Sequence, residues 1–119
     1  MKNVLVVEDS PVLSEAIRII LENEGIRVFV NNDGLKVVEM IKKEGICLVI
    51  LDLMMPGVSG ERLFELITKD AQAKKARIMI LTAKADALKH DSALKRCDKF
   101  MTKPFDNKEL VSEVKKLLR

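Results

Sequence analysis

Five short, mostly apolar runs alternate with segments of helical period along this chain, and that alternation limits the fold more than any other feature. Val4-Leu5-Val6-Val7, Ile26 to Val30, Ile46 to Leu51 and Ile78 to Leu81 are too short for buried helices and rich in β-branched residues, so they read as strands. Lys99 to Thr102 is a shorter fifth run. Unbroken apolarity, as opposed to alternation, marks strands covered on both faces. Strand and helix in strict alternation predict an α/β fold, with a doubly wound, five-stranded parallel sheet and right-handed crossovers.

The intervening segments carry helix signals. Ser10-Pro11 supplies a cap and a proline at the first helical position. Leu13, Ile17, Ile20 and Leu21 then recur at spacings of three and four until Gly25. The turn Asn32-Asp33-Gly34 leads into a helix carrying Leu35, Val38, Met40 and Ile41, up to Gly45. Ser59 caps a third, from Gly60 to about Thr68, with Leu63, Phe64 and Ile67 inward. A weak helix is expected from Asp86 to Leu94, where large apolar residues are few. Asp106 caps the last, Glu109 completes a capping-box pair, and Leu110, Val111, Val114, Leu117 and Leu118 give its buried face.

A length of 119 residues fits one domain, residues 1–119, with a core that needs no staples. Cys47 and Cys97 stand in or beside apolar segments without metal-ligand spacing and read as small core residues in a reducing compartment. The opening Met1-Lys2-Asn3 and its short apolar run do not form a signal peptide, and no apolar run reaches the ~18 residues of a membrane span. A cytoplasmic protein is expected. The net charge of +3 comes from scattered basic residues interleaved with 18 acidic ones. The densest cluster, Lys74-Lys75-Ala76-Arg77, reads as a solvated loop. With no Trp or Tyr there is no platform for stacking bases, so direct nucleic-acid binding is not expected.

The ends of the strands hold the chemistry. The first ends in Glu8-Asp9, the third in Asp52, the fourth in Thr82 and the fifth in Lys103. In a parallel sheet these ends share one edge, and the strand order 2-1-3-4-5 sets the first beside the third at the switch point where ligands bind. Three carboxylates would converge there with a hydroxyl and an ammonium. Like charges so placed demand protons or a counter-ion, and hard oxygen donors with open positions suit Mg²⁺. Such a site is built for charge on phosphoryl oxygens. His90 is the lone histidine and falls in the weak helix, so Ser-His and Cys-His nucleophiles are excluded. A carboxylate can itself attack phosphorus, and Asp52, alone at its strand end, is the candidate.

With these residues in place the chain resembles the receiver domain of two-component response regulators, of the kind seen in the single-domain chemotaxis regulator. The resemblance runs through all 119 residues and rests on Val-Val-Glu8-Asp9-Ser, Ile-Leu-Asp52-Leu-Met-Met-Pro56-Gly57, Leu-Thr82-Ala83-Lys and Thr-Lys103-Pro104-Phe105. It implies Asp52 as phosphoryl acceptor, with Mg²⁺ held by Glu8, Asp9, Asp52 and the Met54 carbonyl. Lys103 would contact the phosphoryl group, Thr82 would shift to meet it, and Phe100 would be the aromatic that moves on activation. The family often has a cis peptide at the position of Lys103-Pro104. The donor would be a sensor histidine kinase or a histidine phosphotransfer protein docking on the first helix, and the recipient a downstream output protein or domain. The chain would be a signalling receiver and no enzyme in the ordinary sense, catalysing its own phosphorylation and dephosphorylation.

Met54 and Lys84, two positions past Asp52 and Thr82, border the expected phosphoryl site, as does Ala83, and are expected to tune the lifetime of the phosphorylated state. Family members with winged-helix DNA-binding domains carry Asp four residues before the lysine and Arg ten after it, paired across a dimer. Here Lys99 and Glu113 reverse those charges, so a phosphorylation-dependent dimer and two solvated surface charges both stay open. Two rivals fit less well. A Mg²⁺-dependent phosphohydrolase wants a second acid/base carboxylate where Met54 stands, and a flavodoxin-like module wants a hydroxyl- and glycine-rich loop where Glu8-Asp9-Ser10-Pro11 stands.

Overall fold

A computed structural model describes residues 2–119; Met1, the first residue of the stretch read as carrying no leader, lies outside them. The elements run β1 (Asn3–Val7), α1 (Pro11–Glu22), β2 (Arg27–Asn31), α2 (Val37–Glu44), β3 (Leu48–Leu51), α3 (Gly60–Lys69), β4 (Arg77–Thr82), α4 (Ala87–His90), β5 (Lys99–Thr102) and α5 (Asn107–Leu117), with 3₁₀ turns at Ala73–Lys75 and Ser92–Arg96. The five strands form one parallel sheet in the order β2-β1-β3-β4-β5, the expected order and class.

Strand alternation divides the core in two. Leu5, Val7, Val49, Leu51, Ile78 and Ile80 face α2 and α3 through Val37, Ile41, Leu63, Phe64 and Ile67. Val4, Val6, Leu48, Ile50, Met79 and Leu81 face α1 and α5 through Ile17, Leu21, Leu110 and Val114. β3 and, from Val4 on, β1 are apolar and buried because both faces are covered. Burying each such side chain stabilises the fold by roughly 1.5–3 kcal/mol. Among the described residues no helix is long and apolar enough to cross a membrane.

Three local expectations need correction. Leu35 is not part of α2's buried face; it is 56% exposed. Lys36 takes a left-handed conformation (φ 59°) at the cap position, which holds the helix off until Val37. The weak helix from Asp86 to Leu94 is a single α-turn followed by a 3₁₀ turn. Asp91 sits between them in extended geometry and caps the second through its carboxylate on the Ala93 N–H. Third, β3 begins at Leu48, and Ile46 and Cys47 lead into it; the Cys47 amide and carbonyl still bond Asn3 and Arg77.

Candidate functional site

Register brings the acids together. Val7 pairs with Leu51 across β1 and β3, so Glu8 and Asp52 follow adjacent strand ends. The Asp52 N–H donates to the Val7 carbonyl at 3.0 Å, extending the ladder one step past the strand. Glu8, Asp9 and Asp52 each present a carboxylate oxygen within 4.8 Å of the others. Glu8 and Asp52 are buried and Asp9 is half-buried.

Lys103 arrives from the far side of the sheet. Its N–H donates to the Thr82 carbonyl at 2.9 Å, and the Lys103-Pro104 peptide is cis. Its Nζ then reaches back across β4, donating to Asp52 Oδ2 at 2.9 Å and to Glu8 Oε1 at 2.5 Å. Asp52 Oδ1 accepts from the Met54 N–H at 3.0 Å. Thr82 is fully buried, and its Oγ1 accepts from the Lys84 N–H at 3.2 Å.

The electrostatics follow from burial set against pairing. Desolvation alone would raise the Asp52 carboxyl. The Lys103 ammonium, the Met54 amide and the Thr82 hydroxyl outweigh it and hold Asp52 below the usual carboxylate range. For Glu8 burial wins. Despite Lys103 and the Ser10 amide, desolvation aided by Asp9 and Asp52 pushes it up. Burial opposes the charge on Lys103 too, but the two carboxylates raise its pKa overall. Pairing with Lys103 therefore favours the charged form of Asp52, while burial works against the charged form of Glu8.

Among the described residues this is where three carboxylates gather. Hard anionic oxygens at that spacing, with Asp9 open to solvent, match what Mg²⁺ takes: a few carboxylates, with waters completing the shell. The donor set fits the ion.

The remaining predicted residues lie around this centre. Met54 contributes its N–H and is 56% exposed as a residue. Ala83 is exposed, and Lys84 turns away to pair with Glu61 of α3 at 2.9 Å. Phe100 is half-buried against the α2–α3 core, in register with Ile80. Lys99 and Glu113 come within 3.9 Å of each other inside the chain.

Other residues that shape the site escaped the sequence reading. A Cβ on Gly60 would fall 2.4 Å from the Leu53 Cα and 2.5 Å from the Asp52 carbonyl oxygen. The bare glycine therefore lets α3 press on the loop that carries Asp52. Asn32 donates to the Glu8 carbonyl at 2.7 Å. In sequence the first looks like a helix start and the second like a turn residue; neither carries a signal for a contact so distant along the chain.

The comparisons with known proteins agree with this geometry. Residues 4–115 match the response regulator receiver domain. The chain belongs to that family. The phosphate regulon transcriptional regulatory protein PhoB of Klebsiella pneumoniae is 30% identical over 119 residues, 99% of this receiver and 52% of that protein. The DNA-binding response regulator MtrA of Mycolicibacterium smegmatis is 35% identical, again over 99% of this chain and 51% of its own. The receiver spans about half the length of the curated relatives it matches. Among solved structures, the response regulator TrrA from Thermotoga maritima, crystallised with Mg²⁺ and BeF, superposes with a TM-score of 0.87 at 35% identity, over 99% of this chain and all of that one. The chemotaxis protein CheY4 of Vibrio cholerae shares the fold at a TM-score of 0.88 and 24% identity, over 99% of each chain. Receiver domains serve phosphorylation-dependent signalling between histidine kinases and output domains.

Proposed function

We propose that Asp52 accepts a phosphoryl group from a sensor histidine kinase or a histidine phosphotransfer protein, with Mg²⁺ held by Glu8, Asp9, Asp52 and the Met54 carbonyl. The observation that carries this reading is the convergence of three carboxylates, two of them, Glu8 and Asp52, bonded to one lysine that lowers the Asp52 pKa. When bound, the metal would neutralise charge on the phosphoryl oxygens.

A carboxylate oxygen of Asp52 attacks phosphorus. The P–N bond of the donor phosphohistidine breaks, its electron pair returns to the imidazole, and an acyl phosphate forms on Asp52. Lys103 holds the attacking carboxylate ionised and transfers its contact to a phosphoryl oxygen as the group arrives. The buried Thr82 hydroxyl, which accepts from the Lys84 amide, donates its own proton to another phosphoryl oxygen. Catalysis here is positioning and charge compensation.

The bound phosphate biases a two-state equilibrium. Thr82 and Lys103 draw inward, Phe100 follows, and the face formed by α4, β5 and α5 changes for a downstream output protein or domain in the cytoplasm. The Lys99–Glu113 pair lies on that face, within reach of a second copy in a phosphorylation-dependent dimer. Met54, Ala83 and Lys84 border the acyl phosphate and set its lifetime through water access and local charge. Replacing Met54 or Lys84 by Ala changes the decay rate; unchanged decay in both removes that part of the proposal.

The test of the whole is incubation with acetyl phosphate and Mg²⁺, followed by intact mass. The wild type gains one phosphate that needs Mg²⁺, and Asp52→Asn gains none while keeping its fold by circular dichroism. Incorporation that survives Asp52→Asn overturns the assignment. Rapid release of many phosphates per chain would make the protein a hydrolase.

A further inference from the structure

The polar groups around Glu8 are held from an unexpected direction. Its N–H donates to the Asn31 carbonyl at 3.1 Å, continuing the β1–β2 ladder. Its carbonyl accepts from Asn32 Nδ2 at 2.7 Å. Two consecutive residues at the end of edge strand β2 therefore grip both peptides flanking Glu8. The second bond matters more, because the Glu8 carbonyl belongs to the Glu8–Asp9 peptide and its direction sets where the Asp9 side chain departs.

Asp9 needs such help. Glu8 Oε2 accepts from the Ser10 N–H, and Glu8 Oε1 from Lys103. Asp52 accepts from Met54 and Lys103. Among the described residues no amide, ammonium or guanidinium donates to the Asp9 carboxylate, so its placement falls to the backbone beneath it. The Asn32 amide has one chemically consistent orientation. Both of its Nδ2 partners accept: the Glu8 carbonyl, and Ser14 Oγ at 2.9 Å, whose own hydroxyl donates to the Pro11 carbonyl. The chain Asn32 to Ser14 to Pro11 anchors the amide on the first turn of α1.

We infer that Asn32 is a positioning residue: it fixes the Glu8–Asp9 peptide and thereby holds the Asp9 carboxylate ready for Mg²⁺. This deepens the proposed function and rests on Glu8, Asp9 and Asp52 being the ligands. Groups that orient metal ligands from behind affect affinity by about 10–100-fold. Asn32 is exposed, which puts it at the low end, about tenfold.

The experiment is calorimetric titration of Mg²⁺ into metal-free, unphosphorylated protein, with melting in EDTA alongside. Asn32→Ala and the isosteric Asn32→Asp both raise the Mg²⁺ Kd about tenfold while the melting curve in EDTA stays near that of the wild type. Asp33→Ala is the control, because it removes a carboxylate that caps the Leu35 N–H in the same turn without touching Glu8. It keeps the wild-type Kd. Unchanged affinity in both Asn32 variants overturns the inference, as does an equal loss in Asp33→Ala, which would trace the effect to loosening of the turn. A wild type that binds no Mg²⁺ overturns the metal site itself and the brace with it, a failure visible before any variant is made.

Discussion

The two sides of β3 are built to different standards. On one side stand β1 and β2, covered by a 12-residue α1 with a capped start and an 8-residue α2. On the other stand β4 and β5, whose connection holds a 4-residue α4 and a 5-residue 3₁₀ turn. Hydrogen bonds there are short-range turns such as Lys89 to Asp86 and Cys97 to Leu94, and the fully buried side chains of those two elements are Ala87 and Leu94. The first side fixes carboxylates, which must hold their geometry. The second carries Thr82 and Phe100, which the proposed switch must move. Elements that move are drawn from the low-stability end of a fold, and the thin connection supplies one.

The contrast breaks first in the core. Phe64, 2% exposed between α3 and the sheet, should lose about 4 kcal/mol on replacement by Ala, because its neighbours belong to full-length elements that cannot collapse into the space. Leu94, 1% exposed, should lose only about 2 kcal/mol, since a single 3₁₀ turn can settle inward. Urea denaturation measures both. Equal losses would mean that the thin connection is as firmly packed as the full-length helix α3. Amide exchange sharpens the point: residues 84–97 should open locally while α1 and β1 exchange by global unfolding.

Gly60 tests how tightly α3 is pressed on the site. Ala would place a methyl 2.4 Å from backbone that cannot yield cheaply. The expected loss is about 3 kcal/mol, with a weakened Mg²⁺ affinity as the Asp52 loop shifts. A methyl accommodated without loss of stability would show that α3, too, can move.

Lys103 ties the two sides together, and its removal has a pH signature. Asp52 has a lowered pKa, so its contribution is present above its unfolded value and is lost as pH falls through the folded one. Glu8 is raised, so its contribution is present in acid and is lost as pH rises. Lys103→Met leaves both carboxylates to burial and mutual repulsion, and both are then raised. In EDTA near neutral pH the variant should be less stable by about 2 kcal/mol, below the cost of breaking a dry pair because Lys103 keeps 20% exposure. That deficit should shrink as pH falls toward about 5. A deficit that grows in acid would mean the lysine matters by packing alone.

How much of this was legible in the chain depended on distance along it. The strand order, the acid edge and Asp52, Glu8, Asp9, Thr82 and Lys103 could be read because parallel topology forces strand ends together, whatever the detail between them. The α4 region could not be read well. Its two large apolar residues, Leu88 and Leu94, are six apart and mark no common helical face, and Asp91 uses its carboxylate to start a new turn that divides the segment. Lys36 likewise gave no hint of a left-handed backbone. Asn32 and Gly60 were invisible for a third reason, since what each does is set by a contact 24 residues away in one case and with the Asp52–Leu53 backbone in the other.

The smallest effect concerns the tether between α3 and the thin side. Lys84 Nζ pairs with Glu61 Oε2 at 2.9 Å, linking the loop after Thr82 to the first turn of α3. Exposed pairs add little to stability, so Glu61→Gln should leave the urea midpoint where it is. Its consequence lies in the switch: the pair holds Lys84, whose N–H donates to Thr82 Oγ1 and anchors its position, and loosening it lets the hydroxyl move toward a phosphoryl oxygen and donate its own proton there. Glu61→Gln should therefore bind BeF₃⁻ more tightly, by roughly twofold, the scale of a few tenths of a kcal/mol. Lys84→Ala should do the same, since it breaks the same ion pair from the other end. If Glu61→Gln weakens BeF₃⁻ binding, the pair supports the active arrangement, and the thin side is held in place by its own packing alone.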